Sequence, residues 1–426
     1  MRRTWCVLAM VVACGDNLAG TGEFELVGHH DVGARGMNAA LAVAGTTVYV
    51  GSRIDTGGIA ILDVSDPEHP TQIGEVPALP ARSSRELRAV ADLNLLIVLR
   101  LQCSPELHGC AATSRQPETI DLYDITDRAM PVLKSSTQTG ANSVVGKGPH
   151  EMYLRRDGDR VSLFIASPPT DLDVLDITDP AAPVKVVTWR PTIQRSGPDD
   201  ILHSVAMSLD GTQLFLSHQL SGLLIADATK LPELSLVADT GFDFAPPTTV
   251  GPHSTVEVPG RSLVIVTEEV YPPPYGTGCP WGKLRTVDIS NPAAPVLLAE
   301  LGVPENDPAF CATGTFDRIT FTAHNATATR DLAFVTWHAA GLKAIDLSEP
   351  AAPRFVATFL PEPLPSVTIE DPGLGGAPIE MWSTPVIQDG LIYVIDVRNG
   401  LYVLRYRGQF ASQLTDDPFV EGNSNL

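Results

Sequence analysis

Positive charge is scarce in this 426-residue chain: 29 Lys and Arg stand against 50 Asp and Glu, a net charge of −21. A surface of that sign repels phosphate backbones, so no nucleic-acid partner is expected. After the first residues there is no apolar run approaching the roughly 20 residues that a membrane-spanning helix requires. Several catalytic signatures are also missing. There is no GxSxG, no phosphate-binding glycine loop and no dinucleotide fingerprint, so none of those chemistries has a foothold. Cysteine is sparse, 6 in all. Glycine (35) and proline (36) are plentiful and spread along the chain, and 44% of residues are hydrophobic. That composition suits a folded, turn-rich all-β protein rather than a disordered one.

The N-terminus, MRRTWCVLAMVVACGDN, places a basic start before a short apolar run. This is the pattern of a secretory signal, too short to span a bilayer. The stretch Val11 to Cys14 resembles the lipobox of bacterial lipoproteins. That resemblance implies a signal peptide over 1–13, lipidation of Cys14 and a tether over 14–22, with acyl chains as the only membrane contact. The protein is therefore expected in the cell envelope, lipid-anchored, in the periplasm or at the cell surface. Export favours disulfides. Cys103 and Cys110 bracket one short loop, leaving Cys279 and Cys311 as the second pair. Sequence does not fix that connectivity, and a four-cysteine zinc site is the rival, although neither short spacing matches a metal finger.

A motif recurs from end to end. Apolar runs finish on Asp63, Asp124, Asp176, Asp227, Asp288 and Asp346, with Arg405 in the seventh place, at intervals of 61, 52, 51, 61, 58 and 59 residues. Each run is strand-like, rich in β-branched residues. A (S/T)DPxxP segment follows, in which proline ends the ladder and Asp, Ser or Thr can bond the turn's own amides. Calcium binding at these turns is a minor alternative, since their spacing fits no calcium loop. Units of this length with about four strands suggest propeller blades. The copies AILDVSDPEHP, VLDITDPAAP, TVDISNPAAP and AIDLSEPAAP resemble the LVIVD repeat of bacterial β-propellers. The expectation is an all-β, seven-bladed propeller of four-stranded antiparallel blades over 23–408. No DP turn follows the last copy, whereas EFELVGHH near the start resembles an outer strand. The N-terminal strand should therefore complete the seventh blade and close the ring, leaving 409–426 as a loose tail.

In such a fold the starts of the innermost strands meet at one mouth of the central channel, where ligands commonly bind. Four successive units place histidine there: His150, His203, His253 and His324, out of only 10 in the chain. Asn38, Arg88 and Thr384 stand near the same point in the other three units. The ends of the second strands add His218, Glu268, Glu269 and His338, with Arg100 and Arg398 in comparable places. Imidazoles with carboxylates suit a divalent transition metal, copper or zinc, and the expected ligands are His150, His203, His253, His324, Glu268 and His338. His218, Glu269, Arg100, Arg398, Asn38 and Arg88 are then ligand-binding candidates. The arrangement is loosely similar to the selenium-binding protein and methanethiol oxidase propellers, which implies only the general idea of a metal held by channel-mouth histidines. Three functions follow. The first is a monomeric, membrane-tethered binding or scaffold module that presents its mouth to a protein or small ligand. The second is a metal-dependent extracytoplasmic oxidoreductase or hydrolase, and the third a structural or adhesive surface protein.

Overall fold

The computed structural model describes residues 23–110, 116–139, 148–167, 171–193, 200–240, 251–273, 276–313, 319–374 and 376–416. The leader, Cys14, the whole of the tether and the last ten residues lie outside that set.

The strands form seven antiparallel four-stranded blades arranged as a propeller. Blade 1 occupies 38–76, blade 2 82–139, blade 3 152–189, blade 4 202–239, blade 5 252–301 and blade 6 326–359. A single bridge from Ser52 to Ser84 joins the edges of the first two blades. Blade 7 takes three strands from 386–406, and its outermost strand is Phe24–His30, paired antiparallel with Gly400–Tyr406. The ring is thus closed by the N-terminal strand, as the missing final turn implied. Aromatic packing holds the closure: Phe24 lies 5.5 Å from Tyr406 and 6.0 Å from Phe334, centroid to centroid. Apolar side chains fill the spaces between neighbouring blades, the largest cluster running from Phe164 through Phe215 and Leu224 to Val266 and Val287.

The repeat motif behaves as its chemistry dictates. The Asp63, Asp124, Asp176, Asp227, Asp288 and Asp346 carboxylates accept from the backbone amide two residues on, at 2.7–3.0 Å. These are Asx turns, and each spends one carboxylate oxygen on the chain itself. Both disulfides, Cys103–Cys110 and Cys279–Cys311, are formed. The segment after blade 7 does not hang free from its start. Leu414 is buried against the blade 6–7 core, and Gln413 bonds Thr329, Asp331 and the Asp331 amide. No helix among the described residues is long and apolar enough to cross a membrane.

Candidate metal centre

The channel-mouth histidines sit at irregular points in their ladders. In blades 4 and 5 the register slips between Leu202 and Ser204 and between Pro252 and Ser254, leaving His203 and His253 as extra residues in the inner strand. Backbone bonds around Ala166 and Thr336 place His150 and His324 the same way: His150 and His324 donate to those residues' carbonyls, whose own amides bond Glu151 and Asn325. A bulge re-aims the side chain it carries. Four bulges in successive blades therefore turn four imidazoles toward one axis. Their rings form a continuous arc, with centroid distances of 4.8 Å (His150–His203), 4.1 Å (His203–His253) and 4.1 Å (His253–His324).

The arc continues through residues that the sequence reading missed. The register slip in blade 2 falls between Ser84 and Glu86, so Arg85 holds the histidine position there. In blade 7 Trp382 and Ser383 both face Ile395, and Trp382 takes that place, 4.8 Å from His324. The Arg85 guanidinium lies 5.5 Å from the Trp382 ring centre and that of Arg53 5.0 Å.

Glu269 closes the cluster. Its Oε1 lies 3.4 Å from His324 Nε2 and 3.4 Å from His338 Nε2, and its Oε2 lies 3.5 Å from His253 Nε2. All four side chains are buried. The segment carrying Glu269 is fixed by Thr322, whose hydroxyl donates to the Glu268 carbonyl and accepts from the Val270 amide. His338 reaches in from a left-handed backbone, φ 34°. Such a conformation is uncommon outside glycine and persists only where surrounding structure imposes it. Here the His338 carbonyl accepts from Gly341 and Met381.

Protonation states suit a cation. Burial pushes the imidazoles down, His150 and His253 to about 4 and His203 and His324 well below their ordinary value. Burial alone would raise Glu269, but His253, His324 and His338 outweigh it and hold the carboxyl well below its usual range. His150, His203, His253 and His324 are thus biased toward their neutral forms, and Glu269 toward its ionised form. His324 Nδ1 donates to the Trp382 carbonyl and His150 Nδ1 to the Gly148 carbonyl, which leaves each Nε2 carrying a lone pair. An imidazole ligand oriented by a backbone carbonyl on its other nitrogen is the usual support for a bound metal. Glu269 Oε1, His324 Nε2 and both His338 nitrogens are buried and have no hydrogen-bond partner.

The ligand atoms of His253, Glu269 and His324 lie within 4.8 Å of one another, as do those of Glu151, His203 and His253. Two expected assignments exchange places. Glu268, expected as a ligand, turns away to pair with Arg285 at 3.2 Å, while Glu269 faces the mouth. Neighbours along an extended chain point opposite ways, so one residue decides which carboxylate enters. The other expected ligand-binding residues are engaged in the walls. Arg88 bonds Glu86 and the Met152 carbonyl, Arg100 pairs with Asp121, Arg398 with Glu370, and His218 with Asp200. Asn38 bonds Arg35 and the Val397 carbonyl. None of these is brought to the imidazole arc.

Fold and geometry together define a β-propeller in which successive blades bring a buried arc of histidines together. The chain carries LVIVD repeats, which match residues 35–77, 163–189 and 279–301. Among solved structures it is similar in fold to the periplasmic gluconolactonase PpgL of Pseudomonas aeruginosa, with TM-score 0.52 and 12% identity over 75% of this chain and 84% of that one. It is also similar to the β-propeller domain of Cps50 (Swd1) from Myceliophteria thermophila, with TM-score 0.50 and 10% identity over 91% and 99%. No curated protein matches the sequence.

Proposed function

We propose that this protein is an exported, lipid-anchored propeller whose channel mouth holds a divalent transition metal, zinc before copper, for hydrolytic chemistry on a small molecule. One observation carries the reading: three imidazole nitrogens converge on one buried carboxylate at 3.4–3.5 Å. Those separations exceed the usual N–H···O range of about 2.7–3.2 Å. They match the edge of a tetrahedron, since ligands about 2.0–2.1 Å from a central zinc lie roughly 3.4 Å apart. The buried atoms without partners are the ones an ion would satisfy. The cluster contains only histidine and glutamate, without the cysteine sulfur that marks electron-transfer copper, which favours Lewis-acid chemistry over electron transfer. A bound ion would polarise a substrate oxygen or lower the pKa of a water. His253, His324 and Glu269 would hold it, with His338 as the fourth ligand or the group facing the open position. The two disulfides support residence outside the cytoplasm, and the Cys14 anchor rests on the leader sequence.

The test is metal analysis of untagged protein. About one zinc or copper per chain is expected, abolished in a His253→Ala/His324→Ala double variant that still folds. Protein that stays metal-free when offered zinc, with unchanged thermal stability, would overturn the reading in favour of a metal-free binding module.

A further inference from the structure

The two faces of the propeller differ. One end of each blade lies at the imidazole arc, and the other carries the Asx turns. A single strand in blade 4 spans both: His218 pairs with Leu202 and Gly222 at the arc end, and Gln213 pairs with Asp227 at the turn end. The N-terminal strand enters from the turn end. Its first residue, Phe24, faces Tyr406, next to Arg405 in the place of the turn aspartates, and His30 faces Leu401 at the far end. The Arg407 amide donates to the Glu23 carbonyl, and Glu25 pairs with Arg405 and Arg407, so the chain is held on the turn face where it enters the ring.

Exposed apolar side chains gather on that same face. Val132, Val184 and Val296 each open an outer strand opposite a turn aspartate, Asp124, Asp176 and Asp288. Met130 lies in the turn before Val132, and Met130, Val132 and Val184 are 61–67% exposed. The blades that carry them touch, since the Ser135 hydroxyl donates to the Pro180 carbonyl. Exposed apolar side chains grouped on one face mark a surface that meets something.

The length of chain ahead of the ring says what. An anchor at Cys14 leaves residues 14–22 before Glu23, and fully extended they reach roughly 30 Å. Running back along the Phe24–His30 strand to bring the arc end to the same membrane would use up about 23 Å of that reach. The turn face needs no such detour. Its carboxylates and the net charge of −21 disfavour anionic headgroups, which leaves a zwitterionic surface.

We infer that the turn face rests on a zwitterionic phospholipid surface, with Met130, Val132 and Val184 at the boundary of headgroups and acyl chains, and that the arc end points away from the membrane. This rests on the Cys14 anchor of the proposed function and not on the metal. Three aliphatic side chains hold a surface only weakly, so the anchor supplies attachment and the patch supplies orientation. The small molecule served by the arc then arrives from the aqueous compartment and not from the bilayer.

The test couples the chain from Cys14, through that thiol, to a maleimide lipid in phosphatidylcholine vesicles. Cys103, Cys110, Cys279 and Cys311 are held in disulfides and do not compete. Val184→Trp on the turn face and Leu360→Trp at the arc end, each made separately, report depth through quenching by nitroxide-labelled lipid. The indole added at position 184 should lose about half of its fluorescence or more, as a ring at the headgroup boundary does, and the one at position 360 should keep it. Adding Met130→Asp and Val132→Asp to Val184→Trp should restore the lost fluorescence. Equal quenching at both positions, quenching only at position 360, no quenching at either, or quenching that the aspartates leave unchanged overturns the inference. Mass spectrometry of Cys14 in protein extracted from its own membranes separates the two readings. An unmodified Cys14 removes the anchor and the membrane seat with it, whereas the wrong quenching pattern beside an acylated Cys14 removes this inference alone.

Discussion

At the scale of the residue, the chemistry of the mouth is a contest between burial and charge. Unfolded imidazole titrates near 6.5. His150 and His253 titrate near 4 in the native protein because burial disfavours their charged forms. Between those values the unfolded chain binds more protons than the folded one, so stability falls as pH drops from about 6.5 toward 4 and is fully present above that window. Each imidazole contributes roughly 3 kcal/mol over the whole range. For chelator-treated protein, the urea midpoint should therefore be clearly lower at pH 5 than at pH 7.5, and His150→Gln should flatten the dependence. An identical midpoint at the two pH values would show that the ring does not titrate as its burial demands. Glu269 offers a second check at this scale. Glu269→Gln keeps the shape but removes the carboxylate facing His324 and His338, and should cost most of the bound zinc, whereas Glu268→Gln should leave metal content alone because Glu268 pairs with Arg285.

At the scale of the element, the N-terminal strand has a role out of proportion to its seven residues. Without Phe24–His30, blade 7 would expose the unpaired edge of Gly400–Tyr406, a template for association with another chain. Phe24 fixes the strand by burying its ring among Phe334, Phe359 and Tyr406. Phe24→Ala is expected to cost about 3–5 kcal/mol in urea unfolding, the range for truncating a buried aromatic. Leu26→Ala in the same strand, at a side chain 52% exposed, should change stability by less than about 0.5 kcal/mol. Equal effects at the two positions would mean that the strand is held by its ladder alone. The bulges at the inner-strand starts do a different task. They give up a regular ladder step to aim one side chain per blade at the axis, and small hydroxyls stitch around them: Ser254 donates to the His324 carbonyl, and Ser217 meets Thr255 at 2.9 Å.

At the scale of the whole molecule, the ring makes one site out of residues that are far apart in the chain. His150 and Trp382 belong to opposite ends of the arc and are separated by more than half of the sequence, yet a chain of ring contacts joins them. An ion bound there would tie blades 5 and 6 together, because His253 and Glu269 come from one and His324 and His338 from the other. Binding to the native state alone stabilises it by about 4 kcal/mol at a free concentration 1,000-fold above Kd. For a chain of this length that is a rise of roughly 4–5 °C in Tm on adding zinc, reversed by chelation. A Tm indifferent to both would mean that no ion bridges the blades.

The repeat made the architecture legible before any coordinates. Period-two apolar runs, proline-terminated turns and a last copy lacking its turn specify blades, their number and the closing strand, because each depends on contacts within one or two units. The four histidines were legible for the same reason, since equivalent positions in equivalent blades meet at the axis. What the tertiary structure decided was finer. Arg85 rather than Arg88, Trp382 and Glu269 rather than Glu268 face the mouth because a bulge or a strand end shifts the pointing of a side chain by one residue, and no local sequence signal marks where that shift falls. Which polar groups are left without partners is likewise a property of the closed ring, since it follows from what every other blade brings to the axis.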